Sequence, residues 1–573
     1  MWITQMEHKS EKIICQNCKK DFTIELEDFN FYEKIKVPPP TFCPECRAQR
    51  RFAWRNERSL HKRPCDLCKK DFISIYDKNV PFPVFCHTCY HSDLWDPFSY
   101  GQEYDKSRNF FSQIKELLEK VPRLGIWVVQ SINSEYTNIA YCNKNAYLSF
   151  GFRDSEDSAY IARAVGLKNT YDSTYAHHSE NLYECLNVDK SYGSSYIEEG
   201  EAIVDSHYLA SCRNMTNSMG GVNLRTQTNY FFGEKLSREK YKEKMEKLDL
   251  GSRKVREELF KKFEEIKKNS IVRDTKQVNC VNCVGDHLEN SKDCFNVFDG
   301  FDLEKARHSA WVFSSKDISD CFGMGGSELI YEAISPEEVH NCKFLMSTDS
   351  SHDVEYGLFC QSSSFLFGCV GLRSQEYCIL NKKYPKEKYN ELIMEIKKEM
   401  QNNPYIDKRG ISYGYGEFFP SEFSHIPYNE SVAQEYYPLN KEEAIQRGFG
   451  WRDDNTRSYN ITMDIEKIPD NIRDAGDSIT EEVLACTHKQ KCTHQCTQAF
   501  KIIPNELQFY RKMKIPPPTL CPNCRHFERL GRRNPMRLWN RVCTKCKKEI
   551  ISSYAPDRPE IIYCEKCYQQ EVY

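Results

Sequence analysis

Long apolar runs are missing from this sequence of 573 residues. The longest in its N-terminal third is Ile126-Trp127-Val128-Val129, far short of the roughly 20 residues a membrane helix needs. The opening segment MWITQMEHKSEKII is charged and has no apolar core of the kind that marks a secretion signal, which points to the cytoplasm. An excess of one charge is missing as well. Lys and Arg number 80 against 83 Asp and Glu, which excludes a uniformly polybasic coat for nucleic acid but leaves local basic patches open. The signature loops of common enzymes are absent: no G-x-G-x-x-G, Walker loop, H-E-x-x-H or G-x-S-x-G occurs. Helical periodicity is lacking through the centre.

Cysteine is what the chain has in quantity, 28 residues. In a small secreted protein that number would mean disulfides, but a large chain without an export signal, with its cysteines in C-x-x-C pairs, fits metal better. The pairs belong to an outer duplication at an offset of 478, covering residues 15–90 and 492–568. Cys18, Cys43, Cys46, Cys65, Cys68, Cys86 and Cys89 fall on Cys496, Cys521, Cys524, Cys543, Cys546, Cys564 and Cys567. KVPPPTFCPEC becomes KIPPPTLCPNC. Only the first knuckle differs: Cys15 falls on Thr493, with Cys492 one position earlier.

Four soft ligands satisfy a tetrahedral zinc ion, and two C-x-x-C knuckles on short hairpins supply them with no position left for water. The expected sets are Cys15, Cys18, Cys43 and Cys46; Cys65, Cys68, Cys86 and Cys89; Cys492, Cys496, Cys521 and Cys524; and Cys543, Cys546, Cys564 and Cys567. These read as four structural Zn2+ sites in tandem zinc ribbons at 11–95 and 484–573, each replacing a core too small to build. Nearby Cys486, His488 and His494 leave the third ligand set ambiguous. Iron in a rubredoxin-like or iron–sulfur site is the alternative for the same spacing. Cys280 and Cys283 form a further C-x-x-C with no second pair at ribbon distance and read as structural.

An inner duplication spans 143–241 and 291–389 at an offset of 148 without a gap. SENLYECL lies on SELIYEAI, Asp172 on Asp320, Asp205 on Asp353, Cys212 on Cys360 and Arg225 on Arg373. Each half is rich in Ser, Asn, Asp, Tyr and Gly in short alternating pieces. In the second half Cys294, Cys321, Cys342 and Cys369 are spaced 27, 21 and 27. This predicts a mainly β fold: a duplicated parallel β-solenoid at 136–236 and 276–384 with one coil per roughly 20–27 residues. Cys and Ser would stack inside, with Tyr and Phe in wider positions. A β-sandwich is the competing architecture. Helical connectors are expected at 96–135 (a helix at 107–120) and 237–275 (broken at Gly251), with helix then an extended arm at 385–475. The charged helices at 237–270 and 385–403 would cap the solenoid ends. A short helix is expected at Lys441–Gln446 after an Asn440 cap.

Between the paired ribbons lie RAQRRFAWRNERSLHKRP and RHFERLGRRNPMRLWNRV. Arg47, Arg51 and Arg55 step by four along one helical face, and Arg525, Arg529 and Arg533 repeat the step. With Trp54 and Trp539 nearby, this predicts a grip on RNA or DNA phosphates and bases. The competing reading pairs these arginines with acids of the same fold or of a protein partner. A carbohydrate-active solenoid would need converging carboxylates; its candidates are Asp172, Asp320, Asp205, Asp353, His177, His178, His308, His340 and His352, which turn capping and surface placement also explain.

The strings SDLWDPFSYGQEYDKSRNFFSQI, INSEYTN, LNKKYPKEKY, GYGEFFPSEFSHIPYNESVAQEYYPL and PPPTFCPECRAQRRFAWRNER resemble, over nearly the whole chain, a family of large cysteine-rich proteins of uncultivated candidate-phyla bacteria. That resemblance implies zinc ribbons and a cytoplasmic setting, and brings no established activity or catalytic residue. The expected protein is a non-enzymatic, zinc-stabilised binding protein for RNA or DNA. A protein-interaction scaffold and a carbohydrate-active enzyme are the alternatives.

Overall fold

The computed structural model describes residues 9–325, 328–334, 343–344, 350–453 and 459–573. His340 and Cys342 lie outside them. Strand exceeds helix, 30% against 25%, so the mainly β class holds. No helix among the described residues is long and apolar enough to cross a membrane.

The centre is built from parallel strands stacked at a constant register. Asn138 pairs with Phe150, Phe150 with Ala162, and Ala162 with Thr174. The same column continues through Leu186, Glu198, Ala210 and Val222. The second half repeats it, with Phe298 on Ala310 on Phe322 and His352 on Ser364 on Glu376. Each of these pairings joins residues 12 apart, as in the bond from Leu167 N–H to Ser155 Oγ, so the expected coil of 20–27 residues is corrected to 12; the opening coil of the second half, with Val284 on Phe295, is one residue shorter.

The error has a physical origin. Within the coils every third residue has positive φ, for example Asp154, Asp157, Tyr160 and Arg163. The chain therefore turns four times per 12-residue coil and points every third side chain inward. Cysteines at inward positions can recur at any multiple of three, and 27 and 21 are such multiples rather than coil lengths. Asn and Asp are common at the left-handed positions because their short polar side chains tolerate that conformation best after glycine.

The inward columns form two separate cores. Ala140, Phe152, Ala164, Ala176, Val188 and Cys212 belong to the first half. Val297, Leu303, Val312, Ile318, Cys360, Leu366 and Cys378 belong to the second. Serines occupy many remaining inward positions for a hydrogen-bonding reason. Ser194 Oγ donates to the Tyr192 carbonyl (2.8 Å) and accepts from Ser206 N–H of the next coil (3.2 Å). Ser206 Oγ donates to the Val204 carbonyl (2.7 Å) and accepts from Ser218 N–H (3.0 Å). Without the hydroxyl, an inward N–H would be buried unpaired. Cys212 fills the same role, its Sγ facing the Ala210 carbonyl at 3.2 Å and Leu224 N–H at 3.4 Å. Ser206→Ala is therefore expected to cost about 1–3 kcal/mol in chemical denaturation, with Ser206→Cys recovering most of it.

The large aromatics, apart from Phe152 in the core and Tyr230 packed against it, do not line the interior as expected. Tyr160, Tyr171, Tyr183, Tyr196 and Tyr208 lie outside the coil core, in clusters with the elements that flank it. An interior of four inward side chains per coil leaves little width for a stack of rings.

The halves end alike. An antiparallel hairpin pairs Tyr230 with Lys235 and, 148 residues on, Cys378 with Lys383. Helices Arg238–Lys247 and Lys386–Asn402 follow at equivalent positions. The hairpins therefore close the last strands, and Tyr241 packs near Phe231 above one of them. Helix Arg253–Lys268, after Gly251, lies along the flank with Phe263 against Tyr208. Helices Phe110–Lys120 and Lys441–Gln446 form where expected, the second with an Asn440–Glu443 capping box. The largest core joins residues 15–54, helix Phe110–Lys120, the second half and the arm around Tyr413–Phe449.

Candidate metal centres and buried arginine clamps

Four modules carry the cysteines: module 1 at 15–46, module 2 at 65–89, module 3 at 486–524 and module 4 at 543–567. In each, the third cysteine (Cys43, Cys86, Cys521 or Cys564) is the N-cap of a helix that places the fourth in its first turn. The first knuckle closes a hairpin in modules 1, 2 and 4. The residue after its second cysteine, Lys19, Lys69 or Lys547, is left-handed to complete the turn. The N–H of the third cysteine donates to the first sulfur at 3.3 Å in all four.

All 16 ligand sulfurs fall into groups whose members lie within 4.8 Å of one another. Cys18–Cys43, Cys68–Cys86, Cys486–Cys524 and Cys546–Cys564 Sγ–Sγ distances are 3.8, 3.9, 3.8 and 3.8 Å. A tetrahedron with metal–sulfur bonds of about 2.3 Å has edges of about 3.8 Å, whereas a disulfide would bring sulfurs to about 2.05 Å. The sulfurs are thus spaced for a metal. Backbone donors favour the thiolate. Burial alone would raise Cys65, but N–H groups of Cys86, Cys68 and Leu67 outweigh it and hold the thiol at about 7. Cys543 is held at about 6 in the same way, against burial, by Cys546 and Cys564 N–H groups.

The third ligand set differs from expectation. Cys486, not Cys492, joins Cys496, Cys521 and Cys524. The knuckle between Cys486 and Cys496 is enlarged relative to Cys15–Cys18, so a fixed offset of 478 cannot find its first member. The fall of Cys521 N–H on Cys486, matching Cys43 N–H on Cys15, identifies it. Cys492, His488 and His494 form a second group with Cys524.

The remaining cysteines behave as small apolar groups. Burial pushes Cys185 and Cys360 up to about 12 and Cys212 to about 11, keeping them protonated. Cys280 and Cys283 point to the carbonyls two residues back, of Val278 and Val281, at 3.3 and 3.4 Å. Their C-x-x-C is two successive inward positions of a coil, a spacing of three with a different backbone from a knuckle. They line a cleft of about 870 Å³ between the start of the second half and module 4, beside Arg213, Glu565, Tyr568 and Tyr573.

The arginines assigned to nucleic acid are turned inward. Arg47 and Arg51 each bind one oxygen of Asp320, at 2.7 and 3.1 Å. Arg525 and Arg529 each bind one oxygen of Asp172, at 2.9 and 3.1 Å. Both aspartates are 0% exposed, and these four arginine side chains are 5% exposed or less. The clamps extend to Glu332, which takes Arg50 at 2.6 Å, and to Glu184, which takes Arg529 at 2.7 Å. Arg55 pairs with Glu57 at 2.8 Å, and Arg533 pairs with Asp299. Trp54 is buried against Phe418 and Phe419. The expectation that Arg47, Arg51, Arg55, Arg525, Arg529 and Arg533 contact RNA or DNA is therefore corrected: charge-paired guanidiniums in the core offer nothing to a phosphate. Nothing in local sequence distinguishes an exposed from a buried arginine stripe; apart from Glu57, the acids that decide it are hundreds of residues away.

The two duplications interlock here. Arg47 and Arg525 are equivalent by the outer repeat, Asp320 and Asp172 by the inner one, and so are Glu332 and Glu184. Module 1 therefore docks on the second half and module 3 on the first. Tyr32 meets Tyr331 edge-on (5.1 Å), and its equivalent Tyr510 meets Tyr183 (5.8 Å). Arg373 covers the ring of Tyr90 of module 2 (4.7 Å), and Arg225 that of Tyr573 beyond module 4 (4.5 Å). Arg163 lies over Trp311, its own equivalent in the other half, at 3.6 Å, so equivalent positions of the two halves meet there.

The clamps are not electrostatically identical. For Asp320, burial would raise the carboxyl, but Arg47 and Arg51 prevail and hold it below the ordinary value. Asp172 is pushed up to about 6, because burial prevails over Arg525 and Arg529 with Glu184 and Glu506 adding repulsion. Among the described residues, the other candidates for acid–base catalysis do not gather at one site. His308 is 3.5 Å from Asp28, His178 3.0 Å from Asp189, and His352 3.2 Å from Asp353. Asp205 is exposed and His177 half-buried.

Between the halves, His287 lies 3.1 Å from Glu199 and 3.5 Å from Asp286. Burial would lower it, but Asp286 and Glu199 outweigh that and the nearby Lys276 and Arg533, raising it to about 9. A folded pKa above the unfolded value stabilises at low pH. The contribution, roughly 3 kcal/mol, is present in full below about pH 6.5 and is lost as pH rises through 9. Denaturation of His287→Gln against the parent from pH 6 to 9.5 should show the difference shrinking with pH. A pH-independent difference would refute the assignment.

No family model matches the sequence, and no curated protein matches it.

Proposed function

We propose that the chain is a non-enzymatic, zinc-stabilised scaffold protein, in which a duplicated β-solenoid is clamped by two pairs of zinc ribbons and presents its surface to a protein partner. The observation that carries this is the burial of the inter-module arginines against Asp172 and Asp320. The strongest basic feature is spent on holding ribbons to coils, which leaves a rigid body rather than a phosphate grip. The four closed sets of four sulfurs suit a structural zinc ion, the ion we favour, and the same donor set also accepts iron. Asp172 and Asp320 serve as anchors, which removes the best acid pair from an enzymatic reading. We place the protein in the cytoplasm, a reading supported by thiols spaced for metal rather than for disulfides.

The contact surface we favour is the open start of the first half. Val128–Val129 is the edge strand of its sheet, and Ile132 and Tyr136 beside it are 61% and 46% exposed. A partner strand would continue the stack there. The test is capture of partners from lysate by the zinc-loaded chain, with and without nuclease, against Ile132→Asp/Tyr136→Asp. A protein retained after nuclease and lost in the variant supports the scaffold. Retention of nucleic acid that the variant leaves unchanged and salt removes would overturn it in favour of an RNA or DNA partner.

A further inference from the structure

The enlarged knuckle of module 3 contains more ligands than one ion needs. Cys524 Sγ lies 3.8 Å from Cys486 Sγ and 3.8 Å from Cys492 Sγ. One ligand atom each from His488, Cys492, His494 and Cys524 lies within 4.8 Å of the others. The Nδ1 atoms of His488 and His494 are buried without a hydrogen-bond partner. A buried imidazole nitrogen without a partner is costly, and two aimed into one cluster with a thiol are the arrangement a cation would satisfy.

We infer that module 3 holds two metal ions that share the Cys524 thiolate, the second bound by His488, Cys492, His494 and Cys524. This rests on the reading of the four-sulfur groups as metal sites and adds a fifth. The second site has the two-nitrogen, two-sulfur donor set that suits zinc. Its surroundings are those of a ligated histidine. His488 Nε2 faces Glu528 Oε1 at 3.5 Å, a carboxylate placed to orient the ring through its far nitrogen. His494 is held flat against Phe527, with ring centroids 5.4 Å apart.

The duplication provides the control. Module 1 has only Gln16 and Asn17 in the equivalent knuckle, and Asn17 Nδ2 donates to Cys46 Sγ at 3.3 Å. Cys46 is the counterpart of Cys524. In module 1 the outer lone pair of that sulfur takes a hydrogen bond; in module 3 the inserted residues bring a second ion to it. Two divalent ions also suit the charge: five thiolates against two ions leave one net negative charge, where a single ion with four thiolates and a protonated Cys492 leaves two.

The test is the zinc content of the full chain, measured by elemental analysis after exhaustive removal of loosely bound metal. Five ions per chain are expected, falling to four in His488→Ala/His494→Ala and in Cys492→Ser. Denaturation profiles check that both variants stay folded on the remaining four-sulfur site. Cobalt substitution gives a second readout: the parent spectrum should contain a two-nitrogen, two-sulfur component that the histidine variant loses. A parent count of four that the histidine variant leaves at four overturns the second ion and leaves the four-site reading intact. A parent count near zero overturns both.

Discussion

Asp320→Ala is expected to destabilise the protein by about 3–5 kcal/mol, because it leaves Arg47 and Arg51 as buried guanidiniums without their shared carboxylate. Asp172→Ala should do the same to Arg525 and Arg529. The cost arises from desolvated charge rather than lost packing, so the control is Asp205→Ala, an exposed aspartate at a left-handed position like those of Asp172 and Asp320, expected to cost only the roughly 1 kcal/mol of placing Ala in that conformation. The two clamps share no partner, and their effects should add. Limited proteolysis distinguishes where each acts. Asp320→Ala should loosen module 1 and Asp172→Ala module 3, each leaving the opposite module protected. Equal stability of Asp320→Ala and Asp205→Ala would refute the clamp. Replacing Arg47, Arg51 and Asp320 together with apolar residues of similar size should recover much of the loss, since a buried ion network is often matched energetically by hydrophobic packing.

Removing metal should have a still larger local effect. Each module closes a short hairpin and a helix around four sulfurs with few apolar side chains of its own. Structural zinc in comparable small units contributes about 10–16 kcal/mol of apparent binding energy, which becomes folding energy. Chelation should abolish amide protection in the hairpins Glu11–Ile14/Asp21–Ile24, His61–Pro64/Asp71–Ser74 and Trp539–Val542/Glu549–Ser552. The coils should keep theirs, since their cores contain no metal-type group among the described residues. Loss from modules 1 and 3 should also release the clamps, so the apo protein should resemble the Asp172/Asp320 double variant in proteolysis. Unchanged protection in the modules after complete chelation would refute a structural metal. Acid should act in the same direction, because protons compete with the metal for the thiolates as pH falls.

A common thread joins these effects. The protein uses one covalent duplication to make two coils and another to make two pairs of modules, then crosses them. Each arginine stripe meets an aspartate from the half of opposite order. That arrangement needs no exposed basic surface, and it makes the modules part of one body with the coils. The equivalent modules 1 and 3 also diverge at one knuckle: that of module 1 packs beside Ser412 and Arg409 of the arm, whereas that of module 3 is longer and carries His488, Cys492 and His494.

By itself the sequence determined both duplications, the knuckle cysteines of modules 1, 2 and 4, the mainly β class and the charged helices, because each of these is a matter of spacing along the chain. C-x-x-C places two thiolates on one turn wherever it occurs in a hairpin, and i,i+4 charge pairs mark helix without reference to neighbours. Three features were decided only by tertiary structure. The 12-residue coil depends on left-handed residues at every third position, and Ser, Cys, Asn and Asp do not announce that conformation as glycine would. The choice of Cys486 over Cys492 depends on which sulfur the Cys521 N–H reaches across an enlarged loop. The fate of the arginines depends on carboxylates as distant as Asp320 is from Arg47, 273 residues along the chain. An arginine stripe reads alike whether it faces water or a buried acid, and only the packing of one repeat on the other supplies the acid.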